Sequence, residues 1–487
     1  MCRFSVWAQA GPPGCPLDLL QTRSLPFLTR RNYYFEMLHL IPWGIVTAMV
    51  ESTVASIIVA KTFHGSHWMV TVASASPFFA NLLSLVWGML CIGRRKRRVV
   101  SVFAALVTSI MFLVALIPHE DRQGWLFVAE MALAQAFMSG VVTSRTALWR
   151  VNYPQQVRAT ITARLQAMRF LMGICSSLVL AAVFDFDPRW YRVVFPIVGV
   201  CGLTAILLLR QVRVRGERSE RRTRRRRRES GFQPGLAEPF SLVALLSPGQ
   251  VFGHMRRVLG EDAKFRQYCL AMMLSGGANL MIVPVMVILV TEFLQMSYLG
   301  GIGLLFALHR LVLLGSLNRW GRFLDRVGVV RFRALNQVCW ASALLFGMIG
   351  SMMLVNGSDS SPFVLPGALA WFLASRLATG AGMGGSALAW NLGHLHFAKP
   401  EDAEAYMGIH VFLAGVRGLT MPFLGIWLWS TIGWYVWAIA LALSVLGLVA
   451  FTAMARDERR ATSSDAATNA HTGGTEHRQK RVSNPND

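Results

Sequence analysis

The stretch NRWGRFLDRVGVVRFR, residues 318–333, separates two long apolar segments of the chain. It carries six charged side chains, and two glycines, Gly321 and Gly328, stand seven positions apart within it. The apolar segments on either side are each about 20 residues long, which is enough to cross the hydrocarbon core of a bilayer as a helix. The stretch is therefore predicted to be a short polar loop between two membrane-spanning helices.

The composition of the whole chain also indicates a membrane protein. Hydrophobic residues make up 54% of the 487 residues and charged residues only 15%, whereas a soluble domain carries about 25% charge. The mean hydropathy is +0.45. The formal net charge of +23 is expected to come from Lys and Arg in cytoplasmic loops, and no nucleic-acid partner is expected.

Apolar segments recur along the chain at the length of a membrane span. Helices are the practical structure for them, because an unpaired backbone group in lipid costs several kcal/mol. The candidate spans are residues 35–61, 67–92, 99–118, 124–148, 160–184, 191–211, 265–292, 297–317, 333–355, 363–390, 406–428 and 433–455. The predicted fold class is an all-α integral membrane protein with twelve transmembrane helices.

Basic residues are concentrated in every second loop. The loops after the second, sixth and eighth spans contain GRRKRR, RRTRRRRRE and the opening stretch, whereas PHEDRQG and VNGSDSSP on the other side are nearly neutral or acidic. The positive-inside rule then places both termini in the cytoplasm, and we expect a bacterial inner membrane. The arginine-rich linker is expected to lie near anionic headgroups of the lipid bilayer.

The two halves of the chain repeat one pattern. WRVNYPQQV after the fourth span and WNLGHLHFAKPEDAEAY after the tenth both run from Trp through a loop with Pro into a helix that carries an arginine. Two six-helix halves joined by a long linker are typical of transporters. The predicted parts are an N-terminal arm (1–34), a first bundle (35–211), a basic linker (212–264), a second bundle (265–455) and a disordered tail (456–487).

The segment GRFLDRVG within the opening stretch resembles the G-x-x-x-D-R-x-G signature of the major facilitator superfamily. The matching residues are Gly321, Asp325, Arg326 and Gly328. A first copy after the second span keeps glycines and a basic run but has no Asp in the expected place. The resemblance implies a monomeric transporter that works by alternating access, with its site between two bundles and lined by the first, fourth, seventh and tenth helices.

The signature is expected to act as a conformational gate. Its glycines allow a tight turn and close helix approach, and its Asp can cap a helix end and pair with arginine. In place of the Asp missing from the first copy, Glu401 and Asp402 are expected to face Arg94 and Arg95. The alternative is that these four are only solvated loop charges.

Ionisable groups at mid-span are costly and are candidates for function by default. Glu51 in the first span is predicted to carry a coupled proton, because a carboxyl in low dielectric holds its proton more tightly. Glu130 is the reserve carrier. The candidate substrate contacts are Arg376, Asn279, Glu130, Arg310 and Arg417. The alternative for each of these residues is a hydrogen bond or ion pair between helices that only fixes their packing. Glu36 is expected to lie at the membrane interface, with its side chain extending to the headgroups.

These features predict a secondary transporter that moves a small organic anion together with protons. The basic residues at mid-depth in the second half suit carboxylate or phosphate. Proton-driven efflux of amphipathic compounds is the alternative, and a non-transporting sensor or scaffold is a third possibility. An enzyme is not expected, since the GxxxxGK, HExxH and GxSxG motifs are missing. The seven cysteines form no CxxC pair, so no metal site or cofactor is expected.

Overall fold

The structure is a computed structural model that describes residues 25–91, 94–214, 248–357, 363–393, 396–397 and 403–482. Every regular element in these ranges is a helix. The predictions made for most of the N-terminal arm, for most of the linker and for Glu401 and Asp402 lie outside the described residues.

Fifteen α-helices follow one another in the described ranges. In chain order they are α1 Phe27–Val50, α2 Ser52–Thr62, α3 His67–Cys91, α4 Lys96–Val114, α5 Gly124–Asn152, α6 Gln155–Phe186, α7 Tyr191–Leu209, α8 Pro248–Glu261, α9 Ala263–Ile288, α10 Tyr298–Ile302, α11 His309–Val327, α12 Val329–Asn356, α13 Val364–Leu392, α14 Ala403–Ile432 and α15 Tyr435–Val482. Two π-helical turns, Leu289–Phe293 and Gly303–Leu308, lie next to α9, α10 and α11.

Each predicted span coincides with a helical segment, so the all-α membrane fold is confirmed. Ten helices in the described part are long and apolar enough to cross a membrane, and α1 with α2 makes an eleventh if this bent pair is one span. The one predicted span that this set of described helices does not include is the second, residues 67–92. It corresponds to α3, a helix of 25 residues.

Helix α7 has the exposed apolar face that is expected of a membrane-spanning helix. Val193, Ile197, Val200 and Leu207 recur at helical spacing on one side and are 47–58% exposed. The opposite side, with Val194 and Val198, is buried. A helix that is apolar on both its buried and its exposed faces is stable in a bilayer, whereas in water the exposed stripe would be an aggregation site.

The chain forms two compact units. Unit 1 comprises Met1–Pro248 and Met286–Arg310. In unit 1, α1 packs against α6 and α7. The crossing with α6 is close, because a Cβ on Gly44 would lie 2.5 Å from the Cβ of Met172. Small residues at such crossings let transmembrane helices approach closely.

Unit 2 comprises Gly249–Val285 and Leu311–Asp487. In unit 2, α12 packs against α13 and α15. A hydrophobic cluster that includes Phe265, Tyr268 and Phe451 fills the region between the ends of α9, α12, α14 and α15. The boundaries between the units fall inside α9 and near the start of α11, so the sequence-based division into 35–211 and 265–455 stays a prediction.

The two glycines of the opening stretch have different roles. Gly328 separates α11 from α12 and has φ +76° and ψ 168°, a backbone region that is essentially restricted to glycine. Gly321 lies inside α11, where an added Cβ would meet no atom within 4 Å. The tight turn is therefore made by Gly328, whereas Gly321 has no close neighbour among the described residues, and the helix approach expected there stays a prediction.

We predict that Gly328→Ala lowers the free energy of unfolding by about 1–3 kcal/mol, because alanine must adopt the strained backbone conformation. The matched control is Gly321→Ala, which should be neutral or stabilise α11 by roughly 0.5–1 kcal/mol, since glycine in a helix interior is unfavourable. The measurement is denaturant unfolding of the purified protein in detergent. Equal effects of the two substitutions would contradict the assignment of the turn to Gly328.

Candidate functional site

The first predicted span is broken at Glu51. Helix α1 ends at Val50 and α2 begins at Ser52, and the two helices meet at an angle of 49°. Glu51 itself is extended, with φ −61° and ψ 130°. A break of this kind within a membrane span frees backbone groups, and it is tolerated only where other groups bond to them.

Gln135 of α5 satisfies the carbonyl that the break frees. Its side-chain nitrogen Nε2 donates to the backbone oxygen of Val50 at 2.5 Å. Gln135 is 9% exposed, so this bond lies inside unit 1. A buried carbonyl without a donor would cost about 1–3 kcal/mol. The bond therefore stabilises the bent conformation that places Glu51 between two helices.

The break brings Glu51 to Arg310. The guanidinium nitrogen Nη2 of Arg310 lies 2.7 Å from the carboxylate oxygen Oε1 of Glu51, with the side chains 13% and 30% exposed, respectively. Arg310 is the second residue of α11 and follows the π-helical turn Gly303–Leu308. Such turns are frequent at functional sites. Two residues predicted from the sequence for different roles, proton carrier and substrate contact, thus form one charge pair.

Aromatic rings and a second arginine surround this pair. The guanidinium carbon of Arg310 lies 4.2 Å from the ring centre of Phe306 and 5.4 Å from that of Phe170. Arg169 stacks on Phe170 from 4.8 Å. The Nε atoms of Arg169 and Arg310 are buried without a hydrogen-bond partner. Two guanidinium groups and one carboxylate leave an excess positive charge, which favours an anion.

Glu36 forms a separate buried cluster that the sequence does not predict. It is 0% exposed and accepts hydrogen bonds from Nε1 of Trp149 at 2.5 Å and from the hydroxyl of Tyr153 at 2.8 Å. Arg145 lies 3.9 Å away. Burial and the neighbouring carboxylate raise the pKa of Tyr153 well above its usual value, so this hydroxyl stays protonated and donates. The expectation that Glu36 snorkels to headgroups is wrong, because α5 provides donors for it inside unit 1.

The remaining predicted substrate residues lie on other helices. Glu130 of α5 has a buried oxygen, Oε2, without a hydrogen-bond partner. Arg376 of α13 has an unpartnered Nε, and its Nη2 is 3.5 Å from the Ser375 hydroxyl. Asn279 and Arg417 lie together on the wall of a cavity inside unit 2.

The predicted gate residues are only partly described. Asp325 and Arg326 lie in the last turn of α11, and the side chain of Asp325 is outside the described part. Arg94 and Arg95 precede α4 and are exposed. With Glu401 and Asp402 outside the described residues, the pairing predicted for the two arginines stays a prediction. No group of three His, Cys, Asp or Glu residues in the described ranges is placed to hold a metal ion.

A set of bonds in unit 1 ties the start of α10 and the residues just before it to α2 and α6. The two carboxylate oxygens of Asp185, near the end of α6, accept hydrogen bonds from the backbone N–H groups of Tyr298 and Leu299 at 2.5 and 2.9 Å. Lys61 of α2 donates to the backbone oxygen of Met296 at 2.5 Å. These contacts join residues far apart in sequence, and no local pattern predicts them.

Comparisons with known proteins agree with the helical architecture. The family model of the Major Facilitator Superfamily matches residues 40–369. No curated protein sequence matches the chain. Solved transporters share the fold at low identity, so the likeness concerns the fold alone.

A crystal structure of a variant of the nucleoside transporter NupG is 14% identical, with a TM-score of 0.61, and 88% of this chain and 99% of that chain are covered. A POT family transporter in complex with a thioalcohol-conjugated peptide is 12% identical, with a TM-score of 0.63 and coverage of 91% and 99%. The xylose transporter XylE from E. coli, in a partially occluded inward-open conformation, is 14% identical, with a TM-score of 0.55 and coverage of 87% and 97%.

A double-mutant cycle tests whether Glu51 and Arg310 interact strongly in the folded protein. We predict a coupling free energy of about 1–3 kcal/mol between Glu51→Gln and Arg310→Gln, because the pair is largely desolvated. The matched control is the exposed pair His67–Glu292, whose atoms are 3.0 Å apart with side chains 39% and 48% exposed. Its coupling should be at most about 1 kcal/mol. Unfolding in detergent provides the measurement, and equal couplings would mean that solvent screens the Glu51–Arg310 pair.

Proposed function

Because the chain belongs to the Major Facilitator Superfamily and is therefore a membrane transporter, we propose that it moves a small organic anion together with protons. Glu51 is the proposed proton carrier, and Arg310 is the proposed anion contact. The observation that carries the proposal is the 2.7 Å pair between these two side chains at the break of the first span.

The pair supports coupling because a proton and an anion act on the same bond. When Glu51 is ionised, it holds the guanidinium group of Arg310 by a charge-assisted hydrogen bond. When Glu51 is protonated, its negative charge is lost and Arg310 becomes free to bind an external carboxylate or phosphate. Release of the proton restores the internal pair, which then competes with the bound anion. Proton and anion are therefore taken up and released together.

The surroundings of Arg310 favour an organic anion with an apolar part. The rings of Phe170 and Phe306 border the guanidinium group and offer apolar surface beside it. Arg169, whose guanidinium carbon lies 4.8 Å from the ring centre of Phe170, adds a second positive charge. A planar guanidinium group matches the geometry of a carboxylate. Arg376, with its unpartnered Nε in unit 2, is proposed as a further contact for the anion, and the roles predicted for Asn279, Arg417 and Glu130 stay proposals.

The fold leaves the substrate open. The structures with a similar fold include nucleoside, peptide and xylose transporters, and one fold commonly hosts many substrates. The aromatic rings beside the Glu51–Arg310 pair's guanidinium group favour one second candidate, the proton-driven efflux of amphipathic cations, because such a cation binds both a carboxylate and aromatic faces. The two functions differ in the sign of the ligand that Glu51 and Arg310 accept.

The signature motif keeps its proposed role as a gate. A bond from Asp325 or Arg326 that forms in one state of the transporter and breaks in the other would bias the equilibrium between the states. The turn at Gly328 fixes where α12 starts relative to α11.

A ligand-stabilisation screen on the purified protein identifies the sign of the ligand. We predict that small organic anions raise the unfolding temperature, since a ligand at a hundred times its Kd adds about 2.7 kcal/mol of stability. The same anions should change the unfolding temperature of the Arg310→Gln protein very little, because this variant lacks the guanidinium group. The matched control is Arg192→Gln, which changes an arginine near the start of α7. Stabilisation confined to lipophilic cations would contradict anion binding and support efflux.

Transport in proteoliposomes tests the proton carrier. With an anion from the screen, we predict that Glu51→Gln abolishes accumulation driven by a pH gradient and retains binding, because glutamine mimics the protonated side chain permanently. The control is Glu120→Gln, an exposed residue of a loop, which should accumulate the anion like the unaltered protein. Glu130→Gln is tested in parallel. Loss of accumulation in Glu130→Gln with normal accumulation in Glu51→Gln would exclude Glu51 as the carrier.

A further inference from the structure

Unit 2 contains a cavity of about 170 Å³ inside its own helices. The wall is formed by α9, α12, α13, α14 and α15, all within that unit. Its polar lining includes Asn279, Arg333, Asn336, Gln337, Ser386 and Arg417. The volume is several times the ~30 Å³ that one water molecule occupies, so it accommodates a group of a few heavy atoms.

Two arginines on this wall have unsatisfied donors. Arg333 is 5% exposed, and its Nε and Nη2 atoms are buried without a hydrogen-bond partner. Arg417 donates from Nη1 to the backbone oxygen of Met272 at 2.6 Å, but its Nε is also buried and unpartnered. The two guanidinium groups are close enough to repel each other electrostatically. Within the described part of unit 2, neither forms an ion pair with an acid.

The neutral side chains of the wall do not compensate the arginines, because they bond to one another. Gln337 donates to the hydroxyl of Ser444 at 2.7 Å and accepts a hydrogen bond from Ser275. Asn336 donates to the backbone oxygen of Gly382 at 2.9 Å and accepts from Ser386 at 2.9 Å. This network holds the wall in place and leaves the guanidinium N–H groups as the charged donors that line the cavity.

Gly276 provides the space for one of the guanidinium groups. A Cβ at this position would collide with Nη1 of Arg417, and Gly276 itself lines the cavity. The glycine thus allows the arginine head to lie against α9. On the other side, Arg333 lies 5.8 Å from the ring centre of Tyr268, which gives it a neutral aromatic face and no counter-charge.

Guanidinium N–H donors that are buried without a counter-charge are costly, and buried charges in proteins are normally paired. We propose that the cavity binds a small oxyanion, a carboxylate or phosphate group held between Arg333 and Arg417. The group is either a free anion or the phosphate of a lipid headgroup, which share this chemistry. Such an anion accepts the free N–H donors and removes the repulsion between the arginines.

Of the substrate contacts predicted from the sequence, Asn279 and Arg417 line this cavity. The site uses neither Glu51 nor Arg310 and requires no proton coupling, so it goes beyond the proposed function. By the predicted topology it lies toward the cytoplasmic end of unit 2, since Arg333 is in the first turns of α12 and Trp390 is near the end of α13. An anion bound there links α12 to α14 by charge-assisted bonds.

Calorimetric titration of the full-length protein in detergent with inorganic phosphate tests the site, at constant ionic strength maintained with NaCl. We expect Arg333→Gln to raise the Kd for phosphate by roughly tenfold or more, because it removes charge-assisted hydrogen bonds. The matched control is Arg331→Gln, which removes the same charge two positions earlier on α12, at a residue that does not line the cavity. It should bind phosphate like the unaltered protein.

A second arm distinguishes the source of the anion. If the natural ligand is a headgroup, phosphatidylglycerol rather than phosphate raises the unfolding temperature, and Arg333→Gln loses this response while Arg331→Gln keeps it. Either pattern supports the site. Equal responses of the unaltered protein and Arg333→Gln to both phosphate and phosphatidylglycerol would overturn the proposal.

A further variant covers the case in which Arg333→Gln does not fold. Gly276→Ala keeps both positive charges but displaces the guanidinium group of Arg417. We therefore expect a lower affinity for whichever of phosphate and phosphatidylglycerol binds the unaltered protein. The control is Gly321→Ala, a glycine of the same unit with open space around it. Unchanged probe affinity in a folded Gly276→Ala protein would overturn the proposed geometry.

Discussion

A backbone carbonyl within a membrane span requires a hydrogen-bond donor, and the geometry at Glu51 depends on this requirement. The break after Val50 is tolerated because Gln135 donates to the freed oxygen. Without the break, the helix would continue through Glu51 and present its carboxylate in a different direction. The pair with Arg310 and the proposed coupling therefore both depend on one amide side chain of a neighbouring helix.

The two units handle buried arginines in different ways. In unit 1, Arg310 has a carboxylate partner and aromatic faces, so most of its desolvation cost is offset within the protein. In unit 2, Arg333 and Arg417 have neutral neighbours and each other. The first arrangement can exchange an internal partner for an external one. The second is incomplete without a ligand, which is why the two sites support different inferences.

The sequence predicts the helices well because a membrane span must be apolar over a fixed length, and it indicates Glu51 because a charge at that depth is costly. It does not predict the break, since AMVESTV at residues 48–54 contains neither Pro nor Gly. It also does not pair Glu51 with Arg310, because that contact depends on how distant helices pack. Arg333 looks like a solvated loop charge beside Gly328, but the packing of α9, α13 and α14 around the first turns of α12 buries it.

The carboxylate of Asp185 has a consequence for the rate of any rearrangement in unit 1. Both of its oxygens bond to consecutive backbone N–H groups, those of Tyr298 and Leu299. Because the two acceptors belong to one rigid carboxylate, the segment cannot move away from α6 by releasing one bond and retaining the other at full strength. Separation of this segment from α6 requires both bonds to break, so the loss of two charge-assisted hydrogen bonds adds to the barrier of any such motion.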